Sequence, residues 1–139
     1  MPLHVWTSSL RCSDPDVFNV TRKSGDPIFA PSWQILGPAI QRRKSGLVLS
    51  DEAWKAVYAL PYIQEMSRSY RNNFDAWQTL LARKRVVLTC YCPDPKRCHR
   101  TILGRILAEK GAIFHGELPP PQLSFGFDLA MELGSDDDD

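Results

Sequence analysis

A chain of 139 residues, 43% apolar and 24% charged, fits one compact domain of ordinary soluble composition with room for a single core. No apolar run approaches the ~18–20 residues that span a bilayer. Met1-Pro2-Leu3-His4-Val5-Trp6 also lacks the basic and apolar regions of a secretion signal, so a membrane role is excluded and a cytoplasmic protein is expected. The net charge of +1 hides an asymmetry. Asp136 to Asp139 supply four of the sixteen acids, leaving residues 1–135 at +5, with seventeen bases against twelve acids. Eleven of those bases are Arg, which suits bidentate recognition of phosphate or carboxylate, so the balance leans toward a polyanionic partner.

In chain order, Leu3–Ser8 reads as a strand with Val5 and Trp6 as core residues, and Val17–Thr21 as a second strand ended by Arg22-Lys23-Ser24-Gly25. Ala30-Pro31-Ser32 opens a helix, interrupted at Gly37-Pro38 and ended by Lys44-Ser45-Gly46. Ser50, followed by Asp51 and Glu52, is an N-cap signal for a helix whose apolar spacing runs through Trp54, Val57, Tyr58, Ile63 and Met66, with a break at Pro61. Asn72-Asn73 caps a further helix carrying Trp77, Leu80 and Leu81. Val86–Tyr91 is the clearest strand, apolar on both faces; a helix from Cys98 to Lys110 follows, ended by Gly111, and then a strand at Ile113–Glu117. Strand, helix and strand make a right-handed crossover unit, which predicts that the two strands pair in parallel. The fold class expected is α/β: a small single domain of three layers, with a short, mainly parallel or mixed sheet flanked by helices, over residues 1–121. Residues 122–133 form a C-terminal arm. The ending Gly134-Ser135 with four aspartates resembles a cloning scar plus most of an enterokinase site; a native acidic tail that meets a basic partner is the other reading.

The chemistry gathers between that strong strand and the helix after it. Cys90, Cys92, Cys98, His99 and Arg100 all fall at the join, where ligands of open α/β sheets bind and where a helix N-terminus favours anions. Cys90 and Cys92 share a face if the strand persists that far. Arg100 in the first helical turn works against the dipole by about 0.3–1 kcal/mol. Either a bound anion or a carboxylate from elsewhere in the fold, such as Glu117, would remove that penalty. Arg22 and Lys23 could bring further bases to the same crevice as anion-binding residues.

Three chemistries compete for the thiols. Cys90 or Cys98 could be a low-pKa nucleophile, with His99 transferring protons and Arg100 holding an anion. The spacing of a tyrosine phosphatase is absent, since the sixth residue after Cys90 is Lys96. Zinc held by Cys90, Cys92 and Cys98 is the metal alternative, although Cys-x-Cys is narrow and adjacent Cys98-His99 can hardly both face one ion; otherwise no cofactor is expected. Plain structural thiols are the third reading. Trp6, Trp33, Trp54 and Trp77 fit core positions better than a base-stacking platform, which leaves direct nucleic-acid binding with little support.

Val5-Trp6-Thr7-Ser8, Asn19-Val20-Thr21-Arg22-Lys23-Ser24-Gly25, Phe29-Ala30-Pro31-Ser32-Trp33, Ser69-Tyr70, Val87-Leu88-Thr89-Cys90-Tyr91-Cys92, Cys98-His99-Arg100 and Gly116-Glu117 together resemble the domain-of-unknown-function 488 family, in the compact form common in phages and prophages. The resemblance implies an α/β fold with Cys90, Cys98, His99 and Arg100 at the family's signature position, and it implies no particular reaction. Two function classes follow as expectations. One is a Cys/His/Arg anion site acting on a phosphorylated or nucleotide-like small molecule. The other is a non-enzymatic phage-encoded regulator, in the host cytoplasm, that binds a host complex such as RNA polymerase through the basic and aromatic middle, residues 40–85.

Overall fold

A computed structural model describes residues 2–9, 11–92 and 94–118. Four parallel strands, β1 (His4–Ser9), β2 (Val17–Asn19), β3 (Arg85–Cys90) and β4 (Ile113–Glu117), form one sheet in the order β2-β3-β1-β4. All four run the same way, so the sheet is wholly parallel among the described residues and its carboxyl ends meet along one edge. The expected pairing of β3 with β4 is corrected: they are parallel, but β1 lies between them. Val5 faces Val86 on one side and Phe114 on the other. The crossover from β3 to β4 therefore passes over one intervening strand, the N-terminal β1.

Helices connect and cover the strands: α1 (Trp33–Ser45), α2 (Asp51–Trp54), α3 (Leu60–Asn72), α4 (Phe74–Leu81) and α5 (His99–Glu109). Ile35, Tyr62, Met66, Trp77, Leu80, Leu103 and Leu107 from these helices join Leu3, Val5, Val86 and Leu88 in a single apolar cluster. Alternate β3 residues carry that cluster, as the two-residue period of a strand requires.

Two expected helix breaks are absent. Gly37-Pro38 sits inside an uninterrupted α1. Pro38 removes one N–H, but α1 buries only Ile35, so a freed carbonyl can be solvated, and Gly37 has no Cβ to crowd the proline ring. Pro61 likewise ends nothing. Lys55–Ala59 forms a π-helical turn that widens the helix just ahead of it, and Pro61 falls in the first turn of α3. Ser50 does cap α2, accepting the Ala53 N–H at 3.1 Å. Asn73 takes the N-cap position of α4 but makes no cap bond with its side chain, which donates to Ser69 Oγ instead. Trp33 departs from its expected core place: it is 55% exposed, whereas Trp77 is fully buried with its indole N–H on Ser69 Oγ at 3.0 Å. No described helix is long and apolar enough to cross a membrane. Residues 119–121 of the expected domain, the arm at 122–133 and the acidic tail at 134–139 lie outside the described residues.

Candidate functional site

Register places the reactive groups. β3 ends at Cys90, opposite Ser9 of β1, and Thr7 of β1 stands opposite Glu117 of β4, so Cys90 and Glu117 share the carboxyl edge of the sheet. The strand does not persist to Cys92, which leaves the ladder and turns its backbone N–H toward Cys90 Sγ at 3.3 Å. A short 3₁₀ turn at Pro95–Arg97, capped by Asp94, then delivers Cys98 to the N-cap position of α5. His99 and Arg100 occupy the first turn. All of Cys90, Cys98, His99 and Arg100 are buried.

The two sulfurs of Cys90 and Cys98 lie 2.7 Å apart. Their environments differ. The Cys98 S–H first, then the Cys92 N–H and the Arg100 charge, hold the Cys90 thiol below its ordinary range against the opposing effect of burial. Burial, then the neighbouring Cys90 and Cys92, drive Cys98 well above that range. Of the two, Cys98 keeps its proton more firmly and Cys90 is the more readily ionised. Cys92 is drawn down to about 6, by Cys98 first and by the Asp94 backbone, Arg43 and Arg100 after it, against the opposing effect of burial. Cys92 Sγ lies 3.7 Å from the carbonyls of both Asp94 and Arg97.

Arg100 answers the question its position raised. Its guanidinium pairs with Glu117 through Nε at 3.2 Å and through a second N–H at 2.9 Å, donates to the Cys92 carbonyl at 2.8 Å, and reaches Cys90 Sγ and Cys98 Sγ at 3.4 Å each. The Glu117 carboxylate of β4 offsets the dipole penalty, with the two sulfurs against the same guanidinium. Glu117 is itself held by the Thr7 hydroxyl.

His99 is fixed as a neutral ring. Its Nε2 lies 2.7 Å from the Val20 carbonyl, which can only accept, so Nε2 carries the proton and Nδ1 keeps its lone pair. Nδ1 faces the Tyr58 hydroxyl at 3.4 Å and Cys98 Sγ at 3.9 Å. Burial lowers the imidazole pKa to about 4, with the Arg100 charge adding to it. The ligand atoms of Cys90, Cys98 and His99 lie within 4.8 Å of one another, close enough for a metal triad. The guanidinium against both sulfurs is the cation that already serves them, and a divalent ion would have to share the space with it.

Above this cluster opens a pocket of about 120 Å³ lined by Cys90, Cys92, His99 and Tyr58 at its floor and by Arg22, Lys23, Trp33 and Arg43 around it. The basic loop reaches it by a compact turn. The Thr21 N–H bonds Asn19 Oδ1, the Gly25 N–H bonds the Thr21 carbonyl, and the Asp26 N–H bonds the Asn19 carbonyl, each at 2.9 Å. A Cβ on Gly25 would stand 2.3 Å from the Asn19 carbonyl oxygen, so only glycine closes this loop. Ser24 Oγ ties it to the Tyr91 hydroxyl at 3.0 Å. Arg22 spends Nε and one terminal nitrogen on the carbonyls of Pro31, Ala30 and Pro27, while Lys23 is exposed. A second, wider cavity of about 310 Å³ shares Arg43, Tyr58 and Cys92 with the first and adds Arg42, Trp54 and Arg97.

Two members were invisible to sequence reasoning. Tyr58 reads there as one apolar step in a helical stripe, yet it supplies a buried hydroxyl to His99. Arg43 reads as part of a helix-ending basic run, yet it reaches Cys92 Sγ at 3.8 Å. No local pattern separates either from its neighbours.

A model of the DUF488-N3a family, described as the active DUF488-N3 subclade, matches residues 20–111, a span that holds the basic loop, the three clustered thiols, His99 and Arg100. Searches of curated proteins and of solved structures found no match to the chain.

Proposed function

We propose that this protein, which belongs to the DUF488-N3a family, is an enzyme in which Cys90 attacks an electrophilic centre of a phosphorylated or nucleotide-like small molecule. The observation that carries the reading is the Cys90 sulfur: it accepts hydrogen bonds from a backbone N–H and a guanidinium, adjoins the Cys98 sulfur, and lines a pocket with Arg22, Lys23 and Arg43. A thiolate so held is a nucleophile at neutral pH. Lys23 and Arg43, with the charge of Arg22, would meet the ligand's anionic group, while Arg100 holds the thiolate and Glu117. The Tyr58 hydroxyl donates its hydrogen to His99 Nδ1, so toward a ligand in the pocket it would offer only an acceptor oxygen. The family description as active accords with chemistry at this site, and free thiols accord with a reducing cytoplasm.

The test is alkylation by iodoacetamide, followed residue by residue across pH, alone and with a panel of nucleoside monophosphates and sugar phosphates. Cys90 is expected to label well below the ~8.5 of an ordinary thiol, and at least one phosphate compound is expected to protect it. Labelling no faster than an ordinary thiol would overturn the reading, as would stoichiometric zinc in the purified protein. The regulator reading rests on a different observation: Leu47 and Val48, 58% and 81% exposed, and Leu60 and Ile63 stand out from the helical middle. Capture of RNA polymerase by a Cys90→Ser variant as well as by the wild type would move the function to that surface.

A further inference from the structure

The Cys90–Cys98 pair has a property that nucleophilic attack on a phosphate compound does not use. We propose that these two thiols are an oxidative modification site, in which a small hydroperoxide entering the pocket converts them to an intramolecular disulfide. The inference rests on the reading of Cys90 as a thiolate and extends it to the regulation of the same site.

Geometry makes the bond accessible. A disulfide needs its two sulfurs side by side, and those of Cys90 and Cys98 already adjoin each other. Both residues sit on regular elements, one at the end of β3 and one at the N-cap of α5, so the approach is built into the fold rather than sampled by a loop. The pair is also asymmetric. Cys90 lines the pocket and Cys98 does not. An oxidant therefore meets the anionic sulfur first and finds the protonated one directly behind it. Arg100 touches both, and its positive charge favours whichever sulfur is anionic during the exchange. Cys92 also lines the pocket, with its Sγ 3.7 Å from the carbonyls of Asp94 and Arg97, so peptide mapping has to tell its pairing from that of Cys90.

In the first step the Cys90 thiolate attacks one peroxide oxygen. An S–O bond forms, the O–O bond breaks, and the alkoxide or hydroxide leaves and takes a proton from water. In the second step Cys98 attacks the Cys90 sulfenic sulfur. The S–S bond forms, the S–O bond breaks, and the hydroxyl departs with the Cys98 proton as water. Two electrons pass from the two sulfurs to the peroxide. The disulfide removes the nucleophile, and a low-molecular-weight dithiol restores it.

Peptide mapping of the full-length protein decides the matter. Hydrogen peroxide is applied at neutral pH, free thiols are blocked with iodoacetamide, and trypsin follows. Cleavage at Arg85, Lys96, Arg97 and Arg100 puts Cys90 and Cys98 on separate peptides. The expected product is residues 86–96 joined to residues 98–100, lost on treatment with dithiothreitol and retained in Cys92→Ser. In Cys98→Ser the link disappears and Cys90 instead reacts with dimedone as a sulfenic acid. A linked peptide that vanishes in Cys92→Ser would overturn the pairing. Absence of any link in the wild type, while Cys90 still alkylates rapidly at neutral pH, would overturn this inference and leave the nucleophile intact. Absence of both would overturn the two together.

Discussion

Arg100 carries three jobs at once: it neutralises Glu117, braces the Cys92 carbonyl and stabilises the Cys90 sulfur. Arg100→Met keeps much of the side-chain volume and removes the charge. The Cys90 labelling pKa is expected to rise by about one unit or more, since a charge partner at this distance accounts for shifts of that size; iodoacetamide rates across pH read it directly. His99 predicts a pH effect of defined sign. The unfolded imidazole takes up a proton near 6.5 and the buried ring only near 4. Below pH 6.5 the unfolded chain therefore binds the extra proton, so the stabilisation is complete above that pH and is lost as pH falls toward 4. Urea unfolding is expected to show a loss of about 2 kcal/mol between pH 7 and pH 5 from this group, and His99→Gln to flatten that slope. The Cys-His-Arg cluster was legible in the sequence because its members are contiguous. Tyr58, 41 positions before His99, was not.

Local rules worked at the element scale wherever the backbone decided alone. Ser50 caps as its type and its acidic followers predict, and Ser50→Ala should cost about 1 kcal/mol in chemical denaturation. Gly25 is stricter: Gly25→Ala drives a Cβ into the Asn19 backbone, so a loss of at least about 2 kcal/mol is expected, together with slower Cys90 protection by any phosphate ligand as Lys23 shifts. Pro38 and Pro61 show where a residue rule yields to its surroundings. Only Ile35 of α1 is buried, which leaves the Gln34 carbonyl freed by Pro38 open to solvation, and a π turn precedes Pro61. Pro38→Ala is accordingly expected to stabilise the protein, by up to the ~3 kcal/mol that proline costs a helix interior; an unchanged midpoint would show that the helix has already absorbed the kink.

At the scale of the whole molecule, β1 is the keystone. It pairs with both β3 and β4, and Leu3 and Val5 enter the shared core. Deleting residues 2–9 is expected to abolish cooperative unfolding and the near-ultraviolet signal of buried Trp77, where loss of an edge strand would leave both. Composition and periodicity by themselves determined an α/β chain with a mainly parallel or mixed sheet, a strand over Val86–Tyr91 and a helix opening at Cys98, because each of those follows from side chains a few residues apart. Only the tertiary structure decided that the N-terminal strand slips between β3 and β4. Likewise only the fold decided that Arg100 meets Glu117, that His99 bonds the Val20 carbonyl, and that the loop at residues 19–25 stands over the thiols. Those contacts join segments 17 to 79 residues apart. Their cause is the burial of one apolar sheet face, which no local sequence pattern encodes.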